Sequence, residues 1–476
     1  MEKIYLHSLE SIPLSKIVKD EYRTYQIYTL MDRAIPYLED GLKPVQRRIL
    51  FTLWKNQSKG LIKVSAATGL VLTLHPHGPA SIESAIVNMA QDYTFSNNYP
   101  LIDKKGYFGE RMENSPAAGR YIECKLGKIA EFLLFDDMNQ VEMITNYDEK
   151  VMEPVSLLPK LPIMLLNGAE GIGTGFSSVI PSFHHKDIID SMIQYIETGR
   201  AKRLKPYVHN YNRKIEVENS GRILFKINLE EIAEKIFVTE LPRGYDAVRV
   251  YKYLAKFIEK GIIKDFIDSS VDNDIKIELI FKRGQKPELE VIQNQLNAYT
   301  SLVPNYTLIS NNGVRIFKRP EEIIAIFTNR RLEVVKKRYE LLSEEFRNRI
   351  KQNNEIIKFI KNKEYEIATK KKNRKDYVSY LMGKKYNFSD YLADMPIYRM
   401  TKEEVQKRKL MVEDDSKKLK SFLAIAASKA KIKSTLKIEL LEIKEKLSEW
   451  IKAKDKEKKK LLKNIHKKRK ISRVNK

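Results

Sequence analysis

The chain has 476 residues, 42% hydrophobic, and carries 87 Lys and Arg against 62 Asp and Glu, a formal charge of +25. This length supports more than one hydrophobic core, and the charge points either to a polyanionic partner or to lysine-rich solvated helices. One cysteine, Cys124, excludes a disulfide framework and a Cys-rich zinc site, while the opening MEKIYLHSLE lacks a leader pattern and no apolar run nears the ~18 residues of a membrane span, so a soluble, cytoplasmic protein is expected.

In chain order, residues 44–53 predict a first helix: Val45, Ile49, Leu50 and Leu53 share a face, and Pro44 suits a first turn. Gln46, Arg47 and Arg48 follow that proline. Residues 80–91 predict a second, with Ile82, Ile86, Val87 and Met89 inward and Ser81, Ser84 and Asn88 outward. Two short helices with a small, polar outer face fit a helix-turn-helix that enters a DNA groove, although such pairs are also common in cores. From 126 to 320 the pattern becomes mixed, with strands expected at 222–227 and 274–281 and a helix at 246–260. Pro320 opens a long helical region in which Val335, Tyr339, Leu342, Phe346, Ile350, Asn353, Ile357 and Ile360 step by threes and fours. Gly383, Pro396 and clustered aromatics interrupt it, and a second long helix is expected from 401 to 450. Two long helices joined by a compact knob predict an antiparallel stalk with a globular tip. Residues 452–476 hold 13 Lys or Arg and two acids, which predicts a disordered basic tail able to bind DNA non-specifically.

Several motifs then stand in order: DRAIPYLEDGLKPVQRRIL at 32–50, HPHG at 75–78, NMAQDY at 88–93, AAGRYIECKL at 117–126, NYDEKVMEP at 146–154, LNGAEGIGTGFSSVIP at 166–181 and DMPIYRMT at 394–401. Together they resemble the A subunits of the bacterial type IIA topoisomerases, DNA gyrase and topoisomerase IV, over roughly residues 20–450. The resemblance implies an α+β multidomain fold: a winged-helix DNA-cleavage domain to residue 125, a mixed α/β tower domain over 126–320, and a coiled coil over 321–450. Its exit-gate knob would occupy about 376–400, with the basic tail from 451. It implies a homodimer bound to two ATPase B subunits, an A2B2 assembly acting on double-stranded DNA, with Mg2+ and ATP mainly on the partner. No GxxxxGK[ST] phosphate loop occurs in this chain.

By the same resemblance Tyr121 is the DNA-cleaving nucleophile. A phenol ionises near pH ~10 and needs help to attack a phosphodiester at neutral pH. The adjacent Arg120 stays charged and can stabilise both phenolate and transition state. Alone, an Arg-Tyr pair among 25 tyrosines would more often be ordinary surface or packing. Arg33, Lys43, Gln46, Arg47, His75 and His77 match positions that contact DNA around the scissile phosphate. Read without the family, His75 and His77 could be two metal ligands, yet nothing nearby completes a zinc set. Gln46 follows the topoisomerase IV form of the motif. Ile172, between Gly171 and Gly173, matches a wedge that unstacks a base step at a cost of roughly a few kcal/mol; otherwise it reads as a buried loop residue.

The sequence departs from the family at Thr73, Leu74 and Pro79, which flank HPHG. Ala80 and Ser84 stand where a Ser and an acid usually hold the metal-water bridge to quinolone drugs, although Ser81 and Glu83 lie adjacent. Weak quinolone response is expected. No repeated strand pattern or gyrase basic box follows Trp450, so relaxation and decatenation are expected rather than DNA wrapping. The rival readings are a gyrase A chain whose wrapping domain is a separate polypeptide, a non-catalytic architectural DNA-binding protein, and a coiled-coil scaffold.

Overall fold

The computed structural model describes residue 19, residues 22–310 and residues 313–474, with side chains as far as 460. The opening residues read above for a leader lie outside them. The fold is mixed α+β: among the described residues, helices alternate with six small sheets. Contacts divide the chain into two compact units, residues 1–329 with 440–476, and residues 330–439.

The first unit begins with α1 (Arg23–Thr29), which runs into a π-helical turn over Leu30–Ala34. Helix α2 (Pro44–Lys55) starts on a proline, whose missing N–H costs nothing in a first turn. The Lys43 N–H donates to Gln46 Oε1 at 2.9 Å, closing that end. Then come β1 (Ile62–Lys63), α3 (Val64–Val71) and α4 (Pro79–Ala90). On α4 Ile82, Ile86, Val87 and Met89 are buried, while Ser81, Ser84 and Asn88 are exposed. The two helices expected to pair, 44–53 and 80–91, are therefore not consecutive. Helix α3 stands between them; its buried face (Val64, Ala67, Thr68, Val71) includes a threonine and an alanine, so VSAATGLV shows no clear apolar stripe.

Strands β2 (Ile102–Lys105) and β3 (Glu123–Leu126) complete an antiparallel sheet of order β1-β3-β2, which places β3 in the centre. The domain boundary expected at residue 125 falls inside β3. The two flanking segments fold together instead. Met112 belongs to the apolar cluster of the following segment, with Val250, Leu254 and Leu279. Beside it the Arg111 guanidinium donates to the carbonyls of Leu241, Pro242 and Tyr245.

Downstream, β4 (Met143–Thr145) pairs with β5 (Met152–Pro154), and β6 (Ala169–Ile172) with β7 (Ser177–Ile180). The expected strands appear as Ile223–Lys226 and Ile277–Ile280, and the expected helix as Ala247–Glu259, N-capped by Asp246 Oδ1 on the Arg249 N–H at 2.8 Å.

Helix α5 (Pro320–Lys361) carries the chain into the second unit. There it packs antiparallel to α6 (Lys402–Ala426): Tyr339 and Phe346 meet the Phe422 ring at 5.6 and 5.2 Å, Arg349 pairs with Asp415 at 2.7 Å, and Arg408 donates to Asn353 at 2.7 Å. Between these helices Ile356, Phe359, Ile360, Tyr377, Leu381, Tyr386, Leu392 and Met395 form a core of their own. The second long helix is broken. Helix α7 (Lys429–Val474) starts anew, with the Lys431 N–H reaching Ser428 Oγ at 3.4 Å. Its backbone runs without interruption to Val474, where a disordered tail was expected. Lysine and leucine are good helix formers, and the segment holds no Gly or Pro to stop it. The side chains beyond 460 lie outside the described residues.

Candidate nucleic-acid interface

Tyr121 sits on the turn that leads into the central strand β3, and its side chain is 66% exposed. Its flanks are anchored: Ile122 and Cys124 are buried, the Tyr121 N–H donates to Ala118 O at 2.8 Å, and the Arg120 guanidinium lies over the phenol ring at 4.8 Å. Helix α3 grips the same turn from one side, because the Val64 and Ser65 N–H groups donate to Ile122 O and Gly119 O. These are first-turn amides of a helix, which have no partner within it. Lys63 Nζ reaches Tyr121 O at 3.4 Å and Glu123 at 2.9 Å. From α4, Glu83 Oε1 accepts the Gly119 N–H at 2.9 Å. The result is a fixed backbone carrying a solvent-facing phenol beside a permanent cation.

Arg33, His77 and Asp32 form a separate group. His77 Nε2 lies 2.9 Å from Asp32 Oδ2 and its Nδ1 lies 3.0 Å from Arg33 Nη2. A carboxylate can only accept and a guanidinium only donate, so the proton sits on Nε2 and the ring joins the two. His75 packs against His77 at 4.5 Å between ring centroids and is buried. Arg48 Nη1 donates to His75 Nδ1 at 2.9 Å, and Glu153 binds the same guanidinium at 2.6 and 3.0 Å. Burial, followed by the Arg48 charge, lowers the His75 pKa to about 4, so this imidazole is neutral at physiological pH. Arg33 is exposed, whereas His75 is set behind it.

One expected DNA contact, Arg47, needs correction. Arg47 is only 6% exposed, and its guanidinium binds Asp40 at 2.5 and 3.1 Å. Burial disfavours its charge, but the Asp40 carboxylate outweighs that and raises the pKa. It braces the interior, with its guanidinium turned to Asp40 rather than to the surface. Gln46 is half-buried and spends its carbonyl oxygen on the Lys43 N–H, leaving only its amide N–H groups to donate. Lys43 is also half-buried; burial lowers its pKa, with the Glu170 charge opposing.

Ile172 is 90% exposed at the end of β6, the opposite of a buried loop residue. Its flanking glycines explain the projection. A Cβ on Gly171 would lie 1.8 Å from Ala34 O, and one on Gly173 would lie 2.5 Å from Leu30 Cδ2. Only bare backbone lets the hairpin press onto Leu30–Ala34, the turn that carries Arg33. The sole residue between them must then point away. The hairpin tip also exposes Phe176.

The hydrogen bonds among the described residues tie the Tyr121 turn to α3, α4 and Lys63, and not to the Arg33–His77 group. No set of three or more His, Cys, Asp or Glu among the described residues is arranged to hold a metal ion. The residues that sequence reasoning missed as partners are Asp32, Arg48, Glu153 and Glu83. Three of them lie within the motifs above, yet their pairings span 16 to 105 positions and follow no local spacing.

A family profile for the A subunits of DNA gyrase and topoisomerase IV matches residues 33–441. The DNA gyrase A subunit of Brachyspira hyodysenteriae is 29% identical over 94% of this chain and 57% of its own length. The DNA topoisomerase 4 A subunit of Bacillus subtilis is 28% identical over 92% of this chain and 58% of its own. The mitochondrial DNA topoisomerase 2 of Dictyostelium discoideum is 32% identical over 74% and 28%. The chain thus spans little more than half, or less, of each of these relatives.

Proposed function

For this chain, which belongs to the family of DNA gyrase and topoisomerase IV A subunits, we propose the role of DNA-cleaving subunit in a type IIA topoisomerase, with Tyr121 as nucleophile. The observation that carries this reading is the 66% exposed phenol on a turn whose backbone is held from α3 and α4. In the reaction the Tyr121 oxygen forms a bond to a backbone phosphorus. The bond from phosphorus to the 3′ oxygen breaks, and that oxygen leaves as a hydroxyl after taking a proton. One phosphodiester replaces another, so resealing is the same step reversed and consumes no ATP. Arg120 stabilises the phenolate that attacks.

Arg33 supplies a fixed positive charge to the phosphate, with the His77–Asp32 pair holding its orientation. Neutral His75 and the Glu153-bound Arg48 support that arrangement from behind. Ile172 wedges into the duplex, and α3 with α4 forms the helix-turn-helix of a winged-helix module whose small sheet is β1-β3-β2. The α5–α6 pair is the stalk, and the knob, which exposes Met382, Tyr391, Ile397 and Tyr398, is the surface on which two copies meet at the exit gate. ATP and Mg2+ belong mainly to the partner B subunit.

The Tyr121 turn and the Arg33–His77 group share no hydrogen bond among the described residues, which leaves room for a homodimer whose cleavage centres each take the tyrosine from one copy and the arginine from the other. Mixed dimers of Tyr121→Phe and Arg33→Ala chains test this. Assembly in trans leaves one complete centre per mixed dimer and nicks one strand, whereas assembly within one copy leaves none. With a B subunit, Mg2+, ATP and supercoiled plasmid, relaxed product is expected. Negative supercoiling of relaxed plasmid would favour the gyrase reading, and an inactive wild type that still binds DNA would favour the architectural one.

A further inference from the structure

Glu83 lies on α4 one turn beyond the helix start, so neither capping nor the helix dipole explains an acid there. Its carboxylate is half-buried and engaged: Oε1 accepts the N–H of Gly119 at 2.9 Å. Gly119 is buried, and the fit between the two residues is close. A Cβ at 119 would stand 2.3 Å from Oε1 and 2.6 Å from Cδ, so the carboxylate fills the space that any larger residue would need. Gly119 O is taken by the Ser65 N–H, and the Tyr121 N–H closes the turn on Ala118 O. The Glu83 bond is therefore the clamp from α4 on a glycine, the residue with most backbone freedom, two positions before the phenol.

We propose that Glu83 is a positioning residue for strand cleavage: its carboxylate fixes the 118–121 turn so that the Tyr121 oxygen is presented in one orientation. The proposal rests on Tyr121 being the nucleophile. A side-chain oxygen that accepts a backbone N–H fixes that peptide plane, which suits the task. It also gives the role a chemical signature, because glutamine keeps the accepting oxygen while alanine does not. The same bond occupies the acid closest to the unusual Ala80 and Ser84.

The experiment uses the full chain with a B subunit and Mg2+ and reads two quantities. One is the single-turnover rate of protein-linked DNA formation at saturating duplex, and the other is duplex affinity by fluorescence anisotropy. Glu83→Ala is expected to slow adduct formation about tenfold or more while affinity stays within about twofold, since small misplacements of a reacting group cost rate rather than binding. Glu83→Gln is expected to recover to within about threefold of the wild type, because the accepted bond remains. Gly119→Ala should slow cleavage in the Glu83 chain yet add little in Glu83→Ala, the non-additivity of two groups in contact. Thermal melts verify that each variant is folded. A wild-type rate in Glu83→Ala, with Tyr121→Phe inactive, overturns the proposal alone; so does a Glu83→Gln chain as slow as Glu83→Ala. Adduct persisting in Tyr121→Phe overturns the reading beneath it.

Discussion

Asp40 is fully buried and accepts from four donors: Nε and Nη2 of Arg47, and the N–H groups of Leu42 and Leu157. Removing the carboxylate leaves a guanidinium in the interior without its counter-ion. Asp40→Ala should cost roughly 3–5 kcal/mol, seen as a lower urea midpoint for the first unit. The corrected role of Arg47 makes the complementary forecast: its loss should harm folding rather than the salt dependence of DNA binding. The buried histidines set the behaviour in acid. Burial lowers the pKa of His75 to about 4 and of His185 to about 3, whereas an unfolded histidine titrates near ~6.5. The unfolded chain therefore binds protons first, and stability is complete above that value and falls as pH drops through the interval below it. The urea midpoint should hold steady above about pH 7 and decline toward about pH 5. In His185→Gln the decline should be shallower; an unchanged slope would remove His185 from the account.

At the scale of elements, the β6–β7 hairpin separates packing from function. Gly171→Ala drives a methyl group into a backbone carbonyl that a hinged side chain cannot clear, so the hairpin must lift from Leu30–Ala34. A lowered melting temperature and weakened cleavage together are expected. Ile172→Ala removes an exposed side chain, so stability should change by less than about 0.5 kcal/mol. DNA bending, measured by energy transfer between duplex ends, should fall; bending equal to wild type would contradict the wedge.

These elements also indicate how far the sequence can be read. Helices with a clean apolar stripe, α2 and α4, were legible to within two residues at most ends, as was the start of α5 at Pro320. Helix α3 was hidden because its buried face, Val64, Ala67, Thr68 and Val71, mixes small and polar residues and shows no clear hydrophobic contrast with the exposed Ser65, Ala66 and Gly69. Exposure of Ile172 was visible only through the family motif, since an isoleucine between glycines is locally ambiguous. The polar partnerships were least legible. Arg47 and Arg48 are adjacent and chemically identical, yet one is buried on Asp40 and the other lies between Glu153 and His75. Only the three-dimensional packing decides which.

At the scale of the whole molecule, the +25 charge sits on a chain whose last helix is strongly basic. The part of α7 that belongs to the first unit is held there by its side chains: Ser448 Oγ meets His185 Nε2 at 3.0 Å, and Lys458 lies 3.2 Å from Asp272. Residues 461–476 add seven Lys or Arg beyond those contacts. Each phosphate neutralised contributes ~0.9 to the slope of log affinity against log salt, so deleting 461–476 should lower that slope by several units if this segment lies on DNA. An unchanged slope would show that the segment serves another purpose.

The central claim is that Tyr121 becomes joined to DNA, and the most direct measurement is covalent capture. Wild-type chain, a B subunit, Mg2+ and end-labelled duplex are quenched with detergent and the protein-linked fraction is counted, beside Tyr121→Phe prepared identically. Labelled adduct that maps to a peptide containing Tyr121, and vanishes in Tyr121→Phe while duplex affinity is kept, is the predicted result. Adduct of equal yield in Tyr121→Phe would contradict it.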